Sequence, residues 1–104
     1  MAEQGKKHPE EILREMGIEL PEAPEPAASY LPYTRSGELI LTAGQIAVGP
    51  DKKFVAQGVV GDDVDLETAK QCARQCAINV LAQIKAATGD LAEVERILKL
   101  TVFV

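Results

Sequence analysis

The stretch LETAKQCARQCAINVLAQIKAAT, Leu66–Thr88, carries the strongest periodic signal in the chain. Ala69, Cys72, Ala73, Cys76, Ala77, Val80, Leu81 and Ile84 recur at three-and-four spacing, the stripe of a helix with one buried side. Asp65 suits the N-cap, Glu67 complements the positive end of the helix dipole, and Gly89 is a fitting stop. So many small residues on one stripe let the helix lie close against a sheet. The segments on either side of it read as strands, which makes the chain α+β.

Working outward, Tyr30–Arg35 and Glu38–Ala43 form two strands joined at Ser36-Gly37, a two-residue hairpin signal. Gly44 interrupts the second strand, which points to a bulge or to close approach of something to the backbone. Ile46–Val48 continues to a turn at Gly49-Pro50-Asp51, and Phe54–Val60 reads as a third strand weakened by Gly58. Beyond the helix, Asp90 and Glu93 pair as a capping box for one more turn. Arg96–Val104 then reads as a strand. Leu98, Leu100, Val102 and Val104 lie on one face, and Ile97 and Phe103 on the other. A strand apolar on both faces belongs inside a sheet covered on both sides, and a single long helix covers only one. The sequence stops in the middle of this run, so the expectation is that further residues or another chain complete the sheet.

At the other end, Met1–Lys7 reads as a polar, frayed terminus and Pro9–Met16 as a short helix. Pro9 fits its first turn, Ile12, Leu13 and Met16 share a face, and Gly17 ends it with Ile18 as the apolar contact beyond the stop. The Pro-rich run 21–26 cannot continue a helix. Two parts follow: residues 1–26, a helical appendage with its linker, and residues 27–104, the domain proper.

Composition bounds the function. The 104 residues suffice for one domain, 46% of them are hydrophobic, and the net charge is −5. An acidic chain without a Lys/Arg run repels phosphate backbones, which argues against nucleic acid as a partner. No apolar run approaches the length of a membrane span, and no secretory leader opens the sequence, so the expected compartment is the cytoplasm. Cys72 and Cys76 lie four apart on one helix and read as small core residues, because the lone His8 sits in a separate segment and completes no ligand set. Asp62, Asp63 and Asp65 lead into a helix N-terminus, which accounts for them without a metal. Gly58 and Gly61 lack the Gly-Lys-Ser/Thr of a phosphate loop, and His8 alone builds no Ser-His-Asp array. No metal and no cofactor are expected.

Several segments together resemble the YjgF/RidA family. Ser36-Gly37-Glu38-Leu39-Ile40-Leu41-Thr42-Ala43-Gly44-Gln45-Ile46 resembles its second strand, which usually ends in Ser-Gly-Gln. Pro32-Tyr33 resembles the Pro-Tyr of its first strand. Lys99-Leu100-Thr101-Val102-Phe103-Val104 resembles the Lys-x-Thr-Val-Phe-Val strand after its long helix. The amino-terminal appendage resembles a subgroup longer than the shortest bacterial members. The resemblance implies a chorismate-mutase-like fold, a mixed sheet with helices on one face, assembled as a homotrimer around a barrel-like core. It also implies a cleft between subunits that takes a small carboxylate-bearing ligand. In the best-understood members that cleft hydrolyses 2-imino acids or their enamine tautomers to 2-keto acids and ammonia. Other members have been described as endoribonucleases or translation inhibitors.

Carried over residue by residue, the resemblance assigns the cleft wall to Tyr33, Ala43, Gly44 and Gln45. Tyr33 matches a tyrosine that lines the cleft, and Gly44 a glycine whose backbone faces the ligand. Gln45 is as readily structural as ligand-facing. Ala43 departs from the pattern, which often has serine there, and so lacks a hydroxyl. The family's arginine, which pairs with the substrate carboxylate, and its glutamate, which positions water, belong to strands that would follow Val104. The sequence therefore names no catalytic residue. It reads as roughly the first two-thirds of such a subunit.

Overall fold

The protein is described from a computed structural model that covers residues 7–24 and 31–104. The expected start of the first strand at Tyr30, the end of the Pro-rich run at 25–26 and most of the polar amino terminus lie outside the described residues.

Helix α1, Pro9–Glu15, begins at His8, whose side chain accepts the N–H of Glu10 and acts as N-cap. It closes as expected. Gly17 takes φ +78°, its N–H reaches Arg14 O at 3.0 Å, and the N–H of Ile18 reaches Leu13 O at 2.8 Å. This is the paired bonding that a left-handed glycine stop provides. Ile18 is buried beyond it.

Strands β1, Tyr33–Ser36, and β2, Leu39–Thr42, pair antiparallel with Tyr33 opposite Thr42 and Ser36 opposite Leu39. The turn is Gly37-Glu38, one residue later than the sequence suggested. Gly37 alone is at positive φ, +59°, which matches the two-residue hairpin turn that wants glycine first. On β2, Ile40 and Thr42 are half-buried, while Leu39 and Leu41 face outward and are exposed. The hairpin thus keeps one apolar face open.

Helix α2, Leu66–Thr88, has the length and caps read from its sequence. Asp65 Oδ1 accepts the N–H of Thr68 at 2.9 Å, and Gly89 ends the helix at φ +81° with its N–H on Lys85 O. Its buried side differs from the expected stripe. The fully buried positions are Asn79, Ala82 and Gln83, whereas Ala73 and Ala77 are exposed. The reason is backbone chemistry. Two irregular segments beneath α2 present carbonyls that need donors, and the Asn79 and Gln83 amides supply them. α2 packs on β1 and β2 and on the 3-10 turn Leu91–Glu93, and α1 packs on that same turn.

The other strands expected from the sequence are not strands here. Ile46–Val48 and Phe54–Val60 are irregular and meet through a single bridge, Val48 with Phe54, while Val60 bridges to Val64 just beyond the second segment. Gly58 sits at φ +142° against the Asp63 carboxylate, whose Oδ1 accepts the N–H of Val59 at 2.5 Å. Residues 96–104 are unpaired and exposed, Phe103 at 93%. A strand needs a neighbour to bond, and no described segment lies beside this one. The consequence is a thin core: Ile18, Val64, Ala82 and Leu91 are the buried hydrophobic residues among those described. The radius of gyration, 15.0 Å, exceeds the roughly 13 Å of a compact chain this long.

Candidate functional site

The four cleft residues named from the sequence gather where the hairpin ends. Tyr33 pairs with Thr42, which puts Tyr33 on the half-buried face shared by Ile40 and Thr42. One step on, the N–H of Ala43 donates to Pro32 O at 2.8 Å, so the two backbones stay together past the last ladder pair. Gly44 then leaves the strand. Gln45 turns its side chain back, donating Nε2–H to Ala43 O at 3.2 Å. In this geometry Gln45 buttresses the backbone, and Ala43 and Gly44 follow directly on the Tyr33–Thr42 pair.

Gly44 has neither positive φ nor close neighbours: a Cβ built there meets nothing within 4 Å. Gly58 and Gly17 answer to this subunit's own backbone, but Gly44 does not. Nothing among the described residues therefore demands a glycine at position 44.

The segment after Gly44 is held by α2. Asn79, 2% exposed, donates Nδ2 to Ile46 O and to Val48 O, each at 2.9 Å. Gln75 Nε2 in turn donates to Asn79 Oδ1 at 3.0 Å. One turn later Gln83, 1% exposed, donates Nε2 to Pro24 O at 2.6 Å and ties down the Pro-rich run. Reading α2 by its apolar positions misses both residues. The available signal was an Asn and a Gln spaced four apart inside a buried helix.

A second cluster joins the appendage to the end of α2. His8 Nε2 stands 2.6 Å from Asp90 Oδ1, and Lys85 Nζ stands 2.5 Å from Glu10 Oε1. His8, Glu10 and Asp90 bring their ligand atoms within 4.8 Å of one another, the spacing of a loose metal site. The hydrogen bonds oppose that use. His8 Nδ1 accepts the Glu10 N–H, so in the neutral ring Nε2 carries the proton and donates it to Asp90. A metal at Nε2 would need the other tautomer and would meet the Lys85 ammonium nearby. The cluster ties α1 and its cap to the end of α2. Asp90 is held below its ordinary 3.8 by the N–H of Ala92 and then by the bond to His8.

The acidic loop is likewise engaged by backbone. Asp63 binds the N–H of Val59 and Asp65 that of Thr68, which lowers the Asp65 carboxyl. The broad depression beside it, about 560 Å³ and lined by Ala56, Gln57, Asp62, Val64 and Thr68 among others, does not include Tyr33 or Gly44. With its carboxylates it would repel an anionic ligand. Cys72 Sγ lies 4.0 Å from Ala56 O, and the Cys76 thiol is pushed up by burial and then by the neighbouring Cys72. Both thiols are free and half-buried. No helix among the described residues is long and apolar enough to cross a membrane.

Comparison with known proteins agrees with this geometry. Residues 10–104 match the family described as "YjgF/chorismate mutase-like, putative endoribonuclease". A Trypanosoma cruzi protein called Protein TCP17 is 38% identical over 92 residues, covering 88% of this chain and 57% of that protein. Among solved structures, the Agrobacterium tumefaciens protein Atu1372, described as of unknown function, superposes with TM-score 0.73 at 41% identity, over 86% of this chain and 54% of that one. A Shewanella oneidensis protein described as a "putative endoribonuclease" superposes with TM-score 0.77 at 32% identity, over 83% and 56%. The chain thus spans a little over half the length of these relatives. With the hairpin, the long capped helix and the match across 10–104 in agreement, the chain belongs to the YjgF/chorismate-mutase-like family.

Proposed function

We propose that the whole protein hydrolyses small 2-imino or enamine acids to 2-keto acids and ammonia, in a cleft between the subunits of a homotrimer. Gly44 carries this reading. It is an unstrained glycine beside Tyr33 with open space where a Cβ would stand, on a hairpin whose other face exposes Leu39 and Leu41. This open surface supports a reading in which a neighbouring subunit and a ligand cover it. Burial of apolar area at about 25 cal/mol per Å² favours covering these leucines and the 96–104 segment. Chemically, water adds to the imine carbon and the amino group leaves as ammonia. Residues of this chain supply the wall: Tyr33 its ring, Ala43 and Gly44 their backbone. In the family resembled, the carboxylate clamp and the group that orients water are an arginine and a glutamate, which match no residue of this sequence.

Ala43 supports a second reading, a non-catalytic binder of small carboxylates in the same cleft, because the hydroxyl often present at that position is missing. The description of the Shewanella relative raises an RNA-directed role, which the net charge of −5 opposes. Light scattering with calorimetric titration of 2-oxobutyrate tests the shared core of the first two readings. A trimer that binds the acid supports them, and a stable monomer at micromolar concentration overturns them.

A further inference from the structure

Asn79 is a polar residue at a position where a helix packed on a hairpin ordinarily places a hydrophobic one. It is 2% exposed, and every hydrogen of its amide is committed. The two Nδ2 hydrogens go to Ile46 O and Val48 O, and Oδ1 is oriented by Gln75. The segment it grips has little else to define it. After Ala43 there is no ladder; Val48 N–H folds back on Ile46 O at 2.8 Å, and Val55 N–H reaches Ala47 O at 2.9 Å. That segment starts at Gly44 and Gln45, next to Tyr33 in the proposed cleft.

We propose that Asn79 is the positioning residue of the ligand cleft: its amide, oriented by Gln75, fixes the Gly44–Val48 segment so that the Gly44 backbone stands ready for the ligand. The inference rests on the cleft reading above and adds to it a specific residue on the long helix. The chemistry allows few substitutes. Aspartate has no hydrogen to give two carbonyls and adds repulsion, leucine leaves both carbonyls unmet, and glutamine displaces the amide by a methylene. A residue kept only for packing would not need two donors on one atom. The two bonds span Ile46 to Val48, so they set the direction in which the chain leaves Gly44 as well as its distance from α2.

The test uses the full-length protein as wild type, Asn79→Ala, Asn79→Asp and Gln75→Ala. Three quantities are read: 2-oxobutyrate affinity by calorimetry, hydrogen exchange across 44–48, and the thermal midpoint. The expected result for Asn79→Ala is affinity weaker by about tenfold, with faster exchange concentrated in 44–48. Gln75→Ala, which leaves the Asn79 amide in place but unties it, should lose a few-fold in affinity with its fold intact. A merely structural role would lower the thermal midpoint and leave the affinity of the folded molecules unchanged, and that result overturns the proposal. If the Asn79 variants do not fold, Gln75→Ala decides alone: unchanged affinity and unchanged exchange at 44–48 overturn it. Wild-type protein that binds no 2-oxobutyrate brings down the cleft itself and its positioning with it. Binding by the wild type together with indifferent variants removes only the role of Asn79.

Discussion

His8 and Asp90 stand 82 positions apart in sequence, and their side chains meet at 2.6 Å, closing the start of α1 onto the end of the long helix. The same imidazole caps α1 through its other nitrogen. One ring therefore starts a helix and docks it. His8→Ala should cost about 1 kcal/mol, the scale of a lost cap with a half-exposed polar contact. Hydrogen exchange should quicken over 9–18 well before the body of α2. Equal exchange in both regions would show that the appendage is held by other contacts.

Gln83 gives a sharper stability test because it is 1% exposed and its amide serves Pro24 O. Gln83→Met keeps the bulk and removes the donor, leaving the half-buried Pro24 carbonyl without it. Chemical denaturation should show a loss of about 1–3 kcal/mol. A neutral outcome would mean that the Pro-rich run does not depend on α2.

Two glycines should respond oppositely to alanine. At Gly58 a Cβ collides with the Asp63 carboxylate on a backbone at φ +142°, so Gly58→Ala should destabilise by about 1–3 kcal/mol. At Gly44 the space is open, so Gly44→Ala should fold like the wild type while binding 2-oxobutyrate at least several-fold more weakly. Denaturation and calorimetry on both variants read the contrast. Unaltered binding by Gly44→Ala would remove that glycine from the site.

How much was legible beforehand follows from the kind of interaction involved. The ends of α2 were readable because Asp65 and Gly89 act on their own neighbours, and so was the Gly17 stop of α1. The hairpin shifted by one residue, since Ser36-Gly37 and Gly37-Glu38 are both acceptable turns until the register is known. The buried face of α2 was misread for a physical reason. Periodicity ranks residues by apolarity, whereas Asn79 and Gln83 are buried because distant carbonyls require donors. Residues 43–45 follow directly on the Tyr33–Thr42 pair, whereas the contacts of Asn79 and the bond from His8 to Asp90 reach across 31 to 82 positions.

The two capping carboxylates define an acid limb of stability. Asp65 is lowered from 3.8 by its bonds to Thr68, and Asp90 by the N–H of Ala92 and then by His8. A carboxyl with a depressed folded value stabilises the fold above its unfolded value and loses that contribution as pH falls through the folded one. Stability should therefore drop below about pH 3.8. Asp65→Asn keeps a capping oxygen without the titration, so its denaturation midpoint should vary less between pH 5 and pH 2. An identical acid profile would show that the Asp65 cap does not contribute to it.

Cys76 supplies a chemical check on the packing of α2. Its thiol is raised by burial and by Cys72, so little thiolate exists near neutral pH. Iodoacetamide at pH 7.5 should alkylate Cys76 much more slowly in the native protein than after denaturation, as read by mass spectrometry. Equal rates would place that helix face in open water.

The most direct test of the account is turnover of an imine. With 2-iminopropionate generated continuously in buffer, adding the full-length protein should hasten its disappearance and the appearance of pyruvate and ammonia. Gly44→Ala should slow that turnover. Loss of the imine at the same rate with and without the wild-type protein would contradict the proposed hydrolysis.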